Sequence, residues 1–331
     1  MLSRVMDMKK TSILGAGVIV VLLLIAYFMM PDTPANTGIE HTQSNFEIYN
    51  PEKVRVALPV VYYKLDNGSI IKIHNRNPFP FSIQLPTEKL VFPNSLTVYK
   101  IGRYKNPDEV FHIASKFGIS SDKLYYNNIT GAYLYHDNNL SFEYETRTGF
   151  VRVVFKNPVS VEQKDTWTEK ALSFLKAKDL LYMQNYTVEV VDYRKLNNKS
   201  FLKAVIVKPK LENIVVDNLG FAIVFEGDKI VRIEGVLPKK IVPVKKYKLK
   251  AFPEAIEELK EKLKKGEPMK NWYISWMAFT EMNIQNITLT YRLNFEGYIV
   301  PVYTMHGTYV LDYMNLHDKG NITAIIVATR I

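Results

Sequence analysis

The chain contains no cysteine among its 331 residues. Disulfide scaffolds, thiolate metal sites and cysteine nucleophiles are therefore excluded, and a folded domain of this size must rest on its apolar core alone. Familiar catalytic signatures are missing too. There is no Gly-x-Ser-x-Gly elbow, no Walker loop and no Gly-x-Gly-x-x-Gly, which removes the sequence signs of an α/β-hydrolase, a P-loop enzyme and a Rossmann enzyme. His41, His74, His112, His136, His306 and His317 are scattered, with no His-Glu-x-x-His and no pair at i,i+4. On these grounds no catalytic residue, metal ligand or cofactor is assigned, and no enzyme is expected. Carboxylate pairs of the glycosidase kind leave no spacing to look for, since their separation exists only in three dimensions.

What is present begins with a long apolar run. Thr11 to Met30 carries no charge, and as a helix rising about 1.5 Å per residue it spans roughly 30 Å, the thickness of a bilayer's hydrocarbon core. Arg4, Lys9 and Lys10 stand in front of it against Asp7, and Pro31 and Asp32 follow it. The basic flank keeps the N-terminus in the cytoplasm and sends the rest of the chain across the cell membrane. A cleaved secretory signal shares this plan, but bulky Phe28, Met29 and Met30 occupy the place of the small residues at a cut, and Ala35 is the nearest alternative. A pilin-like helix packing into a filament is the third reading. The expectation is an uncleaved, single-pass signal anchor with an extracytoplasmic body.

Hydrophobic residues make up 47% of the chain, too many for a mainly disordered ectodomain. Asn-x-Ser/Thr tripeptides start at Asn67, Asn128, Asn139, Asn185, Asn198, Asn286 and Asn321, all after the apolar run. Seven exceeds the roughly two or three expected from the Asn, Ser and Thr content at random. These are possible glycosylation sites, although Asn, Ser and Thr also share turns for reasons of their own. A cysteine-free ectodomain rich in such sites fits an archaeal envelope better than a eukaryotic lumen.

The formal net charge is +10. Lysines crowd the stretch Lys239 to Lys250, where Tyr247 and Leu249 alternate with them as in a strand with one wet face. A lysine-rich edge strand discourages sheet-to-sheet aggregation. The alternative role is contact with anionic lipid headgroups or an acidic envelope polymer. Nucleic acid is not expected as a partner outside the membrane.

Residues 31–45 read as a polar tether and 46–105 as a β-rich segment, with a hairpin turning at Asp66-Asn67-Gly68. Three helices then stand out. Asn106, Pro107 and Glu109 start the first, which Gly118 stops. Ser160 and Gln163 form a capping box before Trp167, Ala171, Phe174 and Leu175. Pro253 to Lys265 is the third, with Ile256, Leu259 and Leu263 inward and Gly266 at its end. Strand patterns follow each helix, so the expected fold class is α+β: a transmembrane helix, then helix-plus-antiparallel-meander units at 106–159, 160–250 and 251–331.

This succession resembles the PepSY-like modules, in which a helix is followed by an antiparallel sheet that turns at a Thr-Gly pair such as Thr148-Gly149, after Glu145. Tandem modules behind one N-terminal anchor are also similar in layout to the YycH/YycI type of ectodomain. The resemblance implies a non-enzymatic protein that binds or regulates partners by contact.

Two stretches stand out as a possible binding surface. Pro301, Tyr303, His306 and Tyr309 combine a strand proline with a His-Gly bend and tyrosines, as an aromatic ligand or peptide groove does. Trp272 and Trp276 lie in a segment apolar on both faces. The functional expectation is an envelope protein that binds, regulates or assists a protein partner, the alternatives being a surface-layer or filament component and an envelope hydrolase.

Overall fold

The computed structural model describes residues 61–64, 70–73, 77–88, 90–161, 165–194, 201–266, 272–294, 296–314 and 316–329. All belong to one unit, Gln43–Ile331. The anchor expected at 11–30, the tether expected at 31–45, Asn67 and Asn198 lie outside the described residues.

Strands dominate. A hairpin pairs β1 (Val61–Lys64) with β2 (Ile70–Ile73). One nine-stranded antiparallel sheet holds β5 (Tyr125–Asn127), β6 (Ala132–His136), β7 (Leu140–Glu145), β8 (Phe150–Ser160), β9 (Tyr186–Arg194), β10 (Phe201–Leu211), β11 (Ile214–Val215), β12 (Gly220–Glu226) and β13 (Lys229–Val236). A seven-stranded sheet holds β3 (Ser82–Gln84), β4 (Ser95–Gly102), β14 (Lys240–Lys248), β15 (Trp272–Ile274), β16 (Glu281–Leu293), β17 (Tyr298–Tyr313) and β18 (Leu316–Val327). Among the described strands only β3 runs parallel to its neighbour, β16.

Three α-helices accompany them among the described residues: α1 (Pro107–Ser115), α2 (Trp167–Ala177) and α3 (Phe252–Lys265). The Asn106 side chain accepts the Glu109 N–H at 2.9 Å and so satisfies one of the first-turn donors of α1. The capping box of α2 is Thr166 with Glu169, not Ser160 with Gln163, because Ser160 is taken into β8 opposite Lys229. Ile256, Leu259 and Leu263 are the buried stripe of α3, each stabilising by about 1.5–3 kcal/mol on burial.

The expected fold class is therefore corrected. The body is mostly β, and the strands that follow α1 and α2 are not separate units but one sheet, joined edge to edge where β8 pairs with β13. Val110, Ile113 and Ala114 of α1 share a core with Ala171, Phe174 and Leu175 of α2 on one face of that sheet. Two small sheets would each have left a long apolar edge unpaired, and fusing them removes both edges. The seven-stranded sheet likewise joins β4, from before α1, to β14 and to the strands after α3. Among the described residues no helix is long and apolar enough to cross a membrane.

The hairpin β10–β11 and the residues after it tie the sheets together. Glu212 accepts the Tyr99 hydroxyl at 2.9 Å and the Thr97 N–H at 3.3 Å, filling a stretch of β4 that β17 does not reach. Burial raises the Glu212 carboxyl, but the bonds from Thr97 and Tyr99 and the charge of Lys246 outweigh it and hold the group below its ordinary value. Val216 then bridges to Tyr291, and the Asp217 N–H donates to the Tyr291 carbonyl at 2.9 Å. Asn218 completes the seam with both ends of its amide on Leu293.

Candidate functional site

Successive residues of a strand point to opposite faces of its sheet. Along β17, Tyr303, Met305, Tyr309 and Leu311 enter the large core that also contains Leu259 and Leu263 of α3. Thr304 and His306 face the other way, beside a small cluster of Val98, Val300, Val302, Ile325 and Val327.

His306 is half-buried, and its Nδ1 lies 3.1 Å from the Thr323 hydroxyl of β18. Thr304 shares a hydrogen bond of 3.0 Å with Thr290 of β16 and donates to Asp217 at 3.5 Å. Burial holds the His306 imidazole below its ordinary value, with Asp217 opposing and Lys208 of β10 adding to the effect. Three strands of one sheet, the connecting segment and a lysine of the other sheet thus meet in one polar group. It can offer hydrogen bonds and take up a proton. Among the described residues, no three of His, Asp and Glu converge as a metal site requires.

A pH dependence follows. With its native value below that of the unfolded chain, His306 contributes stability that is present above about pH 6.5 and lost as pH falls through the native value. Thermal unfolding at descending pH should show the midpoint falling below that point. His306→Gln should reduce this part of the fall, and an unchanged profile in the variant would show that His306 does not titrate with folding.

The residues expected to form one binding surface are divided. Trp272 is buried opposite Ile326. Tyr303 is buried, donates to the Lys250 carbonyl at 2.7 Å and packs with Phe92 and Phe252. Trp276 stacks on Tyr309 at 5.9 Å, and the Tyr309 hydroxyl donates to Asp318 at 2.9 Å. Gly320 makes room for that ring, since an added Cβ would come within 2.9 Å of it. These aromatics pack on one face while His306 lies on the other.

Pro301 is buried in a central strand, not at an edge. Its carbonyl accepts the Ala328 N–H, so the N–H it lacks would fall on the same side, where β17 changes partner from β4 to β18. Gly307 faces the irregular register between Ile284 and Asn286, and a Cβ there would lie 2.0 Å from the Asn283 carbonyl.

The outer strands differ in how they are protected. On β14, Lys240, Lys245, Lys246 and Lys248 are exposed, and the register shifts between Pro243 and Lys245. Pro243 lies opposite Tyr99, and the alternation set by the bonds of Ile101 to Gly297 and Thr97 to Glu212 turns Tyr99 away from β14. Pro243 therefore presents its missing donor to the open side. Lysines, proline and a bulge together blunt this edge, in keeping with the protective role read from the sequence.

β9 carries no such device. Its register with β10 runs unbroken from Tyr186 to Arg194, and the Lys210 N–H donates to Asn185 at 2.9 Å. By alternation Thr187, Glu189, Val191 and Tyr193 bond to β10, while Tyr186, Val188, Val190, Asp192 and Arg194 turn their main-chain groups outward. Among the described residues no strand pairs with that side. Val190 is 44% exposed on it.

Asn128, Asn139, Asn185, Asn286 and Asn321 are all exposed. Asp217, Thr290, Thr323 and the β9 edge escaped sequence reading because strand register brings them into play. The alternating threonines of β16 and β17 are the only local sign.

Fold and sites define a β-rich protein of two large sheets, sealed at one edge and open at another. The chain belongs to the same family as an uncharacterized protein of Archaeoglobus fulgidus, with 36% identity over 286 residues covering 86% of this chain and 89% of the relative. No protein-family model matches. An uncharacterized protein from Eubacterium rectale has a crystal structure with TM-score 0.43 and 12% identity, covering 86% of this chain and all of that one. YycH from Bacillus subtilis gives a TM-score of 0.35 and 10% identity over 74% of this chain and 54% of YycH. The YycH likeness is weak and architectural, and PepSY-like modules are not shown.

Proposed function

We propose that this is a single-pass, membrane-anchored protein whose body lies outside the cytoplasm and acts by protein contact, as a regulatory or accessory subunit of an envelope complex. The uncharged run Thr11 to Met30 and the basic residues before it support the address. The observation that carries the mode of action is the open edge of β9, five residues whose outward N–H and C=O groups suit the addition of a partner's extended segment. Glu189 is exposed beside it and favours a basic side chain on the partner strand, whereas Asp192 is already paired with Lys203 at 2.7 Å. Affinity purification of the full chain from mildly solubilised membranes of its own cells should recover a stoichiometric second protein. Recovery of the chain alone, under conditions that keep other envelope complexes whole, would count against contact as its mode of action.

A second surface has a separate chemistry. The four exposed lysines of β14 make no ion pair among the described residues and suit an anionic surface. Each lysine near such a surface contributes about 1 kcal/mol, so changing Lys245, Lys246 and Lys248 to Gln should weaken binding to phosphatidylglycerol vesicles roughly 100-fold. The chain lacking residues 1–30 is the material for a vesicle co-sedimentation test. Equal binding by the variant, or binding that survives about 0.5 M salt, would exclude this contact.

A further inference from the structure

The acceptor tripeptides differ in what the fold does with them. Asn139 accepts a hydrogen bond from Asn157 at 2.9 Å, and the Asn185 amide donates to Asn213 at 3.1 Å. Asn286 and Asn321 stand inside paired strands, opposite His306 and Thr308. A transferase must surround the whole tripeptide, and each of these would first have to be detached.

Asn128 differs in that its exposed side chain lies in a turn, outside any paired strand. It sits at the tip of the turn between β5 and β6, where Asn127 holds the chain by accepting the N–H groups of Ile129 at 2.9 Å and Thr130 at 3.3 Å. The Gly131 N–H closes the turn on the Asn127 carbonyl at 2.8 Å. Beside it lies an apolar surface that invites a cover: Ile129 is 96% exposed and Tyr126 is 45% exposed. Tyr126 packs against Tyr133 at 4.8 Å between ring centroids, so its ring is held in place while part of it stays open.

We propose that Asn128 carries an N-linked glycan whose C–H-lined sugar face rests on Tyr126 and shields Ile129. The inference rests on the extracytoplasmic address proposed above. In the transfer, Asn128 Nδ2 bonds to C1 of a sugar carried on a lipid-linked phosphate. The bond from C1 to the phosphate oxygen breaks, the phosphate leaves with the electron pair, and one amide proton is released. The product is a neutral glycosylamide at a turn tip, with an aromatic ring two residues before it as a platform.

The test is mass spectrometry of the full chain from its own cell membranes. Trypsin releases Leu124 to Arg147, which contains both Asn128 and Asn139, so fragmentation must place the added mass. The expected result is a saccharide on Asn128 in most molecules, with Asn139 bare. Tyr126→Ser leaves the tripeptide intact and should lower Asn128 occupancy several-fold. Unchanged occupancy in that variant overturns the role of the ring, and a bare Asn128 in the parent chain overturns the inference. Protease added to intact cells then tells which premise failed: digestion of the body leaves the address standing and sinks the glycan alone, whereas full protection sinks both.

Discussion

Asn218→Ala is expected to lower the stability of the two-sheet body by about 2–5 kcal/mol, because it orphans two buried main-chain groups. Asn218 is 3% exposed, and its amide accepts the Leu293 N–H at 2.7 Å and donates to the Leu293 carbonyl at 2.8 Å. It stands where a neighbouring strand would otherwise pair, since β3 reaches only Asn283 on that side of β16. Alanine offers neither group, and water has no open path to a residue as buried as Leu293. For a body of this size the loss corresponds to a fall in thermal midpoint of roughly 5–10 °C. Asn157→Ala, at an exposed hydrogen bond, is the control and should shift it little. A midpoint for Asn218→Ala indistinguishable from the parent would mean that the seam is held elsewhere.

Val190→Pro is expected to cut recovery of the co-purified partner by on the order of 10- to 100-fold while leaving the fold intact. Val190 lies opposite Val205 in a position that does not bond to β10, so proline removes an outward donor and keeps the internal ladder. The pyrrolidine ring also stands where an incoming strand would pair. Val191→Pro, one residue on, deletes a bond to β10 and should destabilise the sheet itself. The contrast separates an interface effect from a folding effect. Equal partner recovery by the parent and Val190→Pro would exclude β9 as the seat.

Local signals in the sequence read correctly where the physics is local. Asn106, Pro107 and Glu109 start α1, and Gly266, in a left-handed conformation, ends α3. The second helix shows the limit of such signals: Ser160 to Gln163 and Thr166 to Glu169 offer the same capping pattern, and pairing of β8 with β13 decides between them.

Strand order lay beyond reach because it depends on contacts far apart in the chain, such as Phe150 with Val236 and Ser95 with Lys248. Helix and strand periodicity carry no record of which strands become neighbours. The candidate binding residues divide between two faces for a different reason. His306 and Tyr309 are three residues apart in one strand, and a period of two already sends them to opposite faces. Asp217 and Lys208 join His306 only through the seam between sheets, which no spacing in the sequence announces.

Surface labelling with a membrane-impermeant amine reagent tests the address on which the function depends. Lys245, Lys246 and Lys248 are exposed on β14, while Lys9 and Lys10 precede the apolar run. Intact cells should yield label on the three β14 lysines and none on Lys9 or Lys10 until the membrane is opened. Label on Lys9 and Lys10 with β14 spared, or none anywhere before lysis, would contradict an exported body on a single cytoplasmic stem.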